Sequence, residues 1–484
     1  MASFFTIRPA GWRGDRIHGS LSGTGTDPLA PGSRAPDVLV LGGGIAGLSA
    51  ALAARRAGAS VVLAEAAPAP LRGGNSRHGR NFRAAHPFPT PFSPGSYPEA
   101  DFLSELRSLG TGGDPVLAQV LAAGSLTLPE RLRDDGVALQ TPAQGPLPWS
   151  RKTVFLLGGG TAMLNALYAA AARLGVGLAY ETEGVAVSLA EGTVTVRRNG
   201  SLQTLAPRAV VVACGGFQAD RARLRRWWGE GAEAFRIRGA PFATGAVLSS
   251  LLDQGAQATG DPKALHLVAT DARSPLFDGG IVSRVDGISW GIVVDRHGRR
   301  IADEAQDIGP GRHTAWGRQV AACPGQTAWL IHDARTQSQA PRAAFAPLCA
   351  GTVEELAPAL SVEPAALGAT VAAFNAAPRL PVADGPRIAA VFPPKSRRAL
   401  PLLRPPFAAF PICPGVTFTA YGLAVDSQAR ILTTAGTPCQ TVFAAGAAMA
   451  PGILGTGYLA GAALTIGAVF GRIAGEGAAR RAQS

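Results

Sequence analysis

The sequence predicts an α/β fold in which a Rossmann-like domain, a parallel sheet with helices, is interrupted by an inserted domain. Three observations predict it. A short apolar strand at 38–41 runs through glycines into an Ala/Leu-rich helix, which is how a nucleotide-binding βαβ unit begins. From about 265 to 415 the sequence changes to polar loops and short helices. A late apolar strand at 442–445 then follows, and such a strand can rejoin an N-terminal sheet.

The other elements follow in chain order. Residues 1–36 lack periodicity and predict a loose extension. The helix at 45–57 is followed by a strand at 60–64, a proline-rich loop over a site at 66–100, and two helices within 101–140. A strand at 154–157, a helix up to Arg173, a strand through Tyr180 and two or three strands in 185–212 come next. We predict a C-terminal helix after Gly446, ending near Ala479.

Composition excludes several classes of protein. Of the 484 residues, 47% are hydrophobic and 16% are charged, so a disordered chain is excluded. The net charge is +12, but all except three of the 45 basic residues are arginines, and they form no long block. We therefore expect a solvated surface or a site for a small anion, and no nucleic-acid partner. The five cysteines form no CxxC pair, which predicts no metal site and a reducing, cytoplasmic compartment.

Two further stretches bear on membranes and secretion. The N-terminus lacks the apolar core of a secretory signal. Residues 441–471 carry no charge, but they hold seven glycines and Pro451. This density is unsuited to a membrane helix, so we interpret the stretch as a buried segment that contacts a cofactor.

The strongest motif is Gly42-Gly-Gly44-Ile-Ala-Gly47, which has GxGxxG spacing between a strand and a helix. Gly42 permits the tight turn, Gly44 lets the backbone approach a pyrophosphate, and Gly47 lets the helix pack closely on the strand. The second strand ends at Glu65, where a carboxylate can accept hydrogen bonds from both ribose hydroxyls and would repel a 2′-phosphate. The motif therefore predicts a dinucleotide other than NADP.

A second glycine-rich turn, Gly158-Gly-Gly160, resembles the first but has Met163 in place of the third glycine. A methionine there would push the helix away from the strand. We therefore interpret this turn as a loop beside the first cofactor, with a second dinucleotide site as the alternative.

The segment from Arg72 to Arg83, together with the fingerprint, resembles the FAD-dependent flavoproteins of the fumarate reductase/succinate dehydrogenase family. Within that family it is most similar to tricarballylate dehydrogenases and to the flavoprotein half of oxygen-dependent precorrin-3B synthases. The resemblance covers about 37–480. Further segments that carry it are Phe277-Asp-Gly-Gly280, Gly291–Arg300, Arg312-His-Thr-Ala-Trp-Gly317 and Ile453–Gly461.

The resemblance implies FAD, held without a covalent bond, and an α+β capping domain inserted in the FAD-binding domain. It divides the chain into an extension (1–36), a first FAD-binding part (37–265), the cap (266–417) and a second FAD-binding part (418–484). Asn75 and Ser76 would approach the flavin N5 edge, and the helix near Gly461 would point at the O2 side. The cofactor-binding residues expected in full are Gly42, Gly44, Ile45, Ala46, Gly47, Glu65, Ala66, Gly74, Asn75, Ser76, Gly215, Gly446, Gly461, Ala462 and Leu464.

The resemblance also suggests which residues act on the substrate. Arg312 follows the segment Arg300-Ile-Ala-Asp-Glu304 and matches the proton-donating arginine of fumarate reductases, with a structural ion pair as the alternative. His266 and Tyr458 are further catalytic candidates. Arg77, His78 and Arg80 in the flavin loop are expected to bind an anionic substrate, and covalent flavin attachment is an alternative role for His78. The chain departs from the family at Ala447, where a glutamate is usual.

These features predict a flavin-dependent dehydrogenase that acts on a CH–CH group of a polycarboxylate of the tricarballylate type. Electrons would pass to a separate acceptor, for which a membrane iron–sulfur or haem protein is a candidate, and this would bring the cytoplasmic protein to the membrane surface. Two alternatives stay open. The C-terminal segment also resembles 3-ketosteroid Δ1-dehydrogenases, and the Ala447 departure suits a flavin-binding protein without turnover.

Overall fold

The computed structural model describes residues 27–30, 33–141, 150–308 and 312–484. Its strands are β1 Val38–Leu41, β2 Val61–Ala64, β3 Asn81–Arg83, β4 Thr153–Phe155, β5 Gly177–Ala179, β6 Thr182–Val187, β7 Val194–Arg198, β8 Ser201–Leu205, β9 Ala209–Val212, β10 Arg236–Ile237, β11 Ala258–Asp271, β12 Ile292–Val294, β13 Ala328–His332, β14 Leu348–Ala350, β15 Phe407–Leu423, β16 Arg430–Leu432 and β17 Pro438–Ala444. Its α-helices are α1 Ile45–Arg56, α2 Glu99–Ser108, α3 Pro115–Ser125, α4 Leu128–Asp134, α5 Gly159–Arg173, α6 Arg221–Trp228, α7 Ala246–Asp253, α8 Arg312–Ala321, α9 Ala334–Gln339, α10 Val353–Leu356, α11 Pro364–Ala376, α12 Pro451–Leu454 and α13 Ala462–Gln483.

The first of two large sheets confirms the predicted Rossmann-like architecture. Its strand order is β16-β17-β9-β1-β2-β5, and the pairs β17–β9, β9–β1, β1–β2 and β2–β5 are parallel. The late strand β17 therefore does return to the N-terminal sheet, as its apolar sequence predicts. β1 and β9 are fully buried along their length, as expected for central parallel strands covered on both faces.

The second sheet joins β10, β15, β13 and β12, with β11 and β14 also paired to β15. β11 and β15 form a long antiparallel pair. β11 runs across the predicted domain boundary at 265–266, and β15 runs across the one at 417–418. Those boundaries remain predictions.

Two local predictions were wrong. Residues 101–140 hold parts of three helices, α2, α3 and α4, because turns interrupt the helical pattern near 110 and 126. The region after Gly446 is not one helix: the short α12 comes first, and α13 begins at Ala462 and continues to Gln483. The strand predicted at 154–157 is present as β4, and it pairs antiparallel with β3 in a separate two-stranded sheet.

Most of the predicted N-terminal extension lies outside the described residues. Residues 27–29 are not loose, because Leu29 is buried and Asp27 forms an ion pair with Arg198 of β7. The side-chain amide of Gln203 in β8 also donates to the carbonyl of Leu29. This short segment therefore packs against the separate three-stranded sheet formed by β6, β7 and β8.

The glycines of the charge-free stretch 441–471 and of the rest of α13 have a packing role. A Cβ at Gly471 would lie 2.3 Å from the carbonyl oxygen of Ala46, and one at Gly475 would lie 2.1 Å from that of Ala50. Both carbonyls belong to α1, so the glycines let α13 approach the fingerprint helix closely. No helix among the described residues is long and apolar enough to cross a bilayer.

Candidate active site

A cavity of about 340 Å³ lies between the carboxyl ends of the first sheet's strands and the second sheet. Open α/β sheets bind ligands at this edge, because loops and helix N-termini meet there. Thirteen of the fifteen predicted cofactor-binding residues line it; the other two, Gly47 and Ala462, do not. The thirteen are Gly42, Gly44, Ile45, Ala46, Glu65, Ala66, Gly74, Asn75, Ser76, Gly215, Gly446, Gly461 and Leu464.

The fingerprint turn has the geometry that its glycines predict. Gly42 has a φ of 103°, and a Cβ there would lie 2.5 Å from the carbonyl oxygen of Ala213. A Cβ at Gly47 would lie 1.8 Å from the carbonyl oxygen of Gly42, so this glycine allows close packing without facing the cavity. α1 begins at Ile45, and its positive N-terminal end therefore faces the cavity, as a pyrophosphate site requires.

Glu65 stands at the end of β2 with both carboxylate oxygens engaged. Oε2 accepts hydrogen bonds from the backbone N–H of Gly43 at 2.9 Å and of Gly73 at 3.2 Å, and Oε1 accepts one from Ala67 at 2.9 Å. A carboxylate has about four acceptor positions, so three are filled by backbone amides. One position remains for a ribose hydroxyl, fewer than the two expected from the sequence.

The predicted flavin loop forms a 3₁₀ helix at Gly74–His78 that faces the fingerprint. The hydroxyl of Ser76 accepts a hydrogen bond from the N–H of Ile45 at 3.1 Å, and the Asn75 amide donates to the carbonyl of Thr417. The Asn75 Oδ1 atom is buried and accepts no hydrogen bond from any described residue. These residues fit FAD, because a buried acceptor and glycine-walled loops face the cavity beside a helix N-terminus.

The second glycine-rich turn packs behind this loop. A Cβ at Gly160 would lie 2.0 Å from the carbonyl oxygen of Ser76, so the start of α5 touches the backbone of the flavin loop. The preceding strand β4 lies outside the parallel sheet. This geometry suits a support for the first cofactor loop rather than a second dinucleotide site.

The N-terminus of α13 also faces the cavity. Its first turn is anchored by the hydroxyl of Thr465, which donates to the carbonyl of Arg83 at 2.6 Å and accepts from the N–H of Arg83 at 3.0 Å. Gly461, in the left-handed region with a φ of 81°, precedes the helix and lines the cavity together with Leu464. Ala447 lines the cavity as well, so a methyl group stands where the resemblance leads one to expect a glutamate.

Of the three predicted substrate-binding residues, Arg80 and His78 line the cavity and Arg77 does not. Arg77 lies 3.6 Å from the carboxylate of Asp278, and the His78 Nε2 atom lies 2.8 Å from the same carboxylate. Arg80 makes no ion pair with any described residue. Burial and the charge of Arg284 lower the pKa of Arg80.

Two arginines that the sequence analysis missed complete this wall. Arg238, only 8% exposed, donates to the carbonyl of Gly280 at 3.1 Å and to the Thr417 hydroxyl at 2.7 Å. Burial and the neighbouring Arg284 lower the pKa of Arg238 to about 10. Arg284 forms a bidentate ion pair with Asp286: Nε donates to Oδ1 at 2.5 Å and Nη2 donates to Oδ2 at 2.8 Å. No spacing distinguishes either residue from the many other arginines of the chain.

His266 and Tyr458 lie together in the cavity wall. The imidazole of His266 is stacked on the ring of Phe418, with centroids 4.9 Å apart at 18°, and on the ring of Tyr458, with centroids 4.0 Å apart at 20°. The centroids of Phe418 and Tyr458 are themselves 6.1 Å apart. The Nδ1 atom of His266 lies 3.3 Å from the hydroxyl of Thr314. Burial, followed by the charge of Arg238, lowers the pKa of His266 to about 3, so this ring is neutral at pH 7.

Arg312 begins α8 but does not line the large cavity. It lines a small adjoining cavity, together with Arg284, Asp286 and His313, and its guanidinium donates to the carbonyl of Ile308 at 3.0 Å. His313, the next residue, lines both cavities. The sequence analysis missed His313, although it lies inside the segment quoted for the family resemblance.

Known proteins share both the sequence pattern and the fold. The sequence matches the FAD binding domain family over residues 37–464. A probable fumarate reductase of Shewanella frigidimarina is 26% identical over 491 residues, 98% of this chain and 78% of that protein. The 4-oxocyclohexanecarboxylate 2-dehydrogenase of Sinomonas cyclohexanicum is 27% identical over 433 residues, 78% of this chain and 74% of that protein.

The solved structures add a likeness of fold. The open conformation of a flavocytochrome c3 fumarate reductase has a TM-score of 0.74 at 23% identity, over 98% of this chain and 82% of that one. The family match spans most of the chain, and the cavity residues fit the cofactor. The chain therefore belongs to the FAD binding domain family, within the fumarate reductase and succinate dehydrogenase group of flavoproteins, and its cofactor is FAD.

Proposed function

We propose that this FAD-dependent oxidoreductase acts on a CH–CH group of a small anion with at least two carboxylates, a substrate of the tricarballylate type. The observation that supports this substrate class is the trio Arg80, Arg238 and Arg284 at the large cavity; in the part of the chain that the structure describes, Asp286 is the carboxylate that pairs with the trio. An isolated buried charge is costly. An anionic substrate would supply the missing partners.

The arginines are suited to carboxylates for a geometric reason. A guanidinium presents its donors in a planar fork that matches the two oxygens of a carboxylate. Arg238 is held in place by Gly280 and Thr417, so its fork loses little freedom when a ligand binds. The lowered pKa of Arg238, about 10, still leaves it protonated at pH 7.

Bound FAD supplies the acceptor, or in the reverse direction the donor, of a hydride. The residues of this chain would bind and orient the substrate against that cofactor. Asn75, Ser76 and the N-terminal turns of α1 and α13 are placed to hold FAD, and the arginine trio to hold the anion. We propose that His78, which lines the cavity, also binds the substrate anion. Arg77 does not line the cavity, and we propose that it supports this binding from outside.

A second candidate substrate is a cyclic ketone, for which the stacked rings of His266, Phe418 and Tyr458 are the supporting observation. Flat aromatic surfaces favour a ring-shaped apolar substrate. A relative named for 4-oxocyclohexanecarboxylate belongs to the same family, and that compound is both a ketone and a carboxylate. The 3-ketosteroid alternative has the same support from the stacked rings but none from the arginines.

The electron acceptor and the compartment are also part of the proposal. Electrons would pass to a separate protein, with a membrane-bound acceptor as our candidate. All five cysteines are free thiols, which supports a reducing compartment such as the cytoplasm. The division of the chain into a two-part FAD-binding domain and a cap remains proposed as well.

Anaerobic bleaching of the bound flavin tests the substrate class. We expect tricarballylate to bleach the wild-type protein, with 4-oxocyclohexanecarboxylate second and a 3-ketosteroid inactive. In Arg80→Gln, bleaching by tricarballylate should need a much higher concentration, while flavin content stays the same. Bleaching by the steroid alone, unaffected by Arg80→Gln, would overturn the polycarboxylate proposal.

A further inference from the structure

We propose that His313 is the catalytic acid and base that carries the substrate proton, with Asp286 as the residue that positions its ring. The proposal moves to His313 the role that the family resemblance implies for Arg312. It rests on the CH–CH chemistry of the proposed function, but not on the identity of the anion.

Location favours His313 over Arg312. His313 is the second residue of α8 and lines the large cavity with Arg238 and His266, whereas Arg312 lines the small adjoining cavity and not the large one. A proton carrier must come within hydrogen-bond reach of the reacting carbon. A guanidinium also stays protonated at ordinary pH, so it can donate a proton but is a poor base.

Asp286 can hold the ring of His313 in one tautomer. The Nδ1 atom of His313 lies 3.4 Å from the Oδ1 atom of Asp286, and the two-pronged ion pair with Arg284 fixes that carboxylate. Burial alone would raise the pKa of Asp286, but the hydrogen bonds and charge of Arg284 keep it below its usual value. With the proton on Nδ1 facing an ionised Asp286, the lone pair on Nε2 is the one available to a substrate.

The charges around His313 keep the ring neutral before substrate binds. The groups that face it are Asp286 and Arg284 from the loop before β12, Arg312 on its own helix, Arg238 after β10 and the neutral His266 of β11. Burial, then Arg284 and Arg312, lower the pKa of His313 to about 3. The positive N-terminal end of α8 acts in the same direction.

Substrate binding would change this balance. Carboxylates placed on Arg284 and Arg238 would offset their positive charge, so the pKa of His313 would rise from about 3 towards the ordinary value for histidine. The ring is then a stronger base when the anion is present. The three arginines thus link recognition of the anion to activation of the base.

The proposed step balances in atoms and electrons. The C–H bond next to the carboxylate or carbonyl breaks, and its proton moves to the Nε2 atom of His313 while its electron pair forms the C=C bond. Bound FAD would supply the oxidant, taking the hydride of the neighbouring carbon with its electron pair. In the direction of reduction, the protonated ring returns the proton to the same carbon.

The test compares His313→Gln and His313→Ala with His297→Gln, a matched control at an exposed histidine. The substrates are tricarballylate and 4-oxocyclohexanecarboxylate for oxidation, and fumarate with reduced methyl viologen for reduction. We expect His313→Gln to lose about 10²–10⁴-fold in kcat, with flavin content, melting temperature and KM close to those of the wild type. Added imidazole should restore part of the activity of His313→Ala but none of that of Arg312→Gln.

Two results would overturn the proposal. One is a His313→Gln enzyme that keeps its flavin and turns over any of these substrates within about threefold of the wild type. The other needs no substrate: an NMR titration that finds the His313 ring protonated at pH 7 in the ligand-free protein. If the wild type reacts only with the cyclic ketone, the polycarboxylate proposal fails, but the comparison at His313 stands on that substrate.

Discussion

Replacing Glu65 with glutamine should destabilise the protein more than it weakens FAD binding. The carboxylate accepts three backbone hydrogen bonds at 2.9–3.2 Å, from Gly43, Gly73 and Ala67. These contacts join the fingerprint turn, the flavin loop and the residues after β2. The carboxylate therefore holds the cofactor loops together before any cofactor binds.

The size of the effect follows from the number of acceptors. A glutamine keeps one oxygen, which can still accept from Gly43 and Gly73, but each bond falls from about 1.5–3 kcal/mol to about 0.5–1.5 kcal/mol without the charge. Its amide group would face the N–H of Ala67, which leaves a buried donor unsatisfied at about 1–3 kcal/mol. We expect the free energy of unfolding of the apoprotein to fall by about 3–5 kcal/mol.

FAD should be affected less. One acceptor position of Glu65 is left for a ribose hydroxyl, and the loss of one charge-assisted bond costs about 1.5–3 kcal/mol, or about 10–100-fold in Kd. Urea unfolding of the apoprotein and FAD titration by flavin fluorescence measure the two effects separately. Glu183→Gln is the control, because that carboxylate also lines the cavity but is a partly exposed partner of Arg197.

One outcome would refute this reasoning. If Glu65→Gln apoprotein unfolds at the wild-type urea concentration while FAD binds more than about a hundredfold more weakly, the three amide contacts do not stabilise the loops. The carboxylate would then act on the cofactor alone.

Three further predictions concern the substrate, the proton and the packing. Arg80→Gln should raise KM for tricarballylate strongly, and more at low salt than at high salt. Arg77 pairs with Asp278, so Arg77→Gln should change KM little; steady-state kinetics on flavin-replete enzyme measure both KM values. For oxidation the ring of His313 must be neutral, so kcat should fall as the pH drops through the pKa of His313 in the substrate complex. That pKa lies above the ligand-free value of about 3, and the pH profile of His313→Gln should lack the fall in kcat at low pH. Gly475→Ala should lower the free energy of unfolding by about 1–3 kcal/mol, because its Cβ would lie 2.1 Å from a carbonyl oxygen of α1. The control Gly368→Ala, whose Cβ would meet the flexible end of the Glu354 side chain, should be neutral or stabilising in thermal unfolding.

The fingerprint could be predicted from the sequence because every contact that defines it is local. Gly42 and Gly47 are five residues apart, and their roles follow from one turn between one strand and one helix. The likeness at 158–160 shows how far such spacing can be trusted. The first glycines of the pattern recur there after β4, with Met163 in place of the last one. β4, however, pairs with β3 outside the parallel sheet, and the sequence around it holds no sign of that pairing.

The long strand β15 shows a second kind of limit. It contains Pro411, Pro414 and Gly415, residues that usually end or weaken a strand. It forms because β11 and β13 pair along its two edges, and β10 joins it in parallel. Tertiary pairing of this kind overrides local preference. The sequence therefore predicts polar loops and short helices for 265–415, whereas strands of the second sheet run through that region.

The arginines of the site show why its chemistry was harder to predict than its cofactor. Arg77 and Arg80 lie three residues apart in one loop, yet the first pairs with Asp278 and the second makes no ion pair with a described residue. Arg284 pairs with Asp286 two positions away, and the described acceptors of Arg238 are two uncharged oxygens. An arginine is available to a substrate when folding brings no carboxylate to it. The carboxylate that pairs with Arg77 lies about two hundred positions away in the sequence, so local spacing does not reveal the pairing. Among the arginines that line the cavity, Arg80 and Arg238 make no ion pair with a described residue, so positive charge without a carboxylate partner lies where a substrate anion would bind.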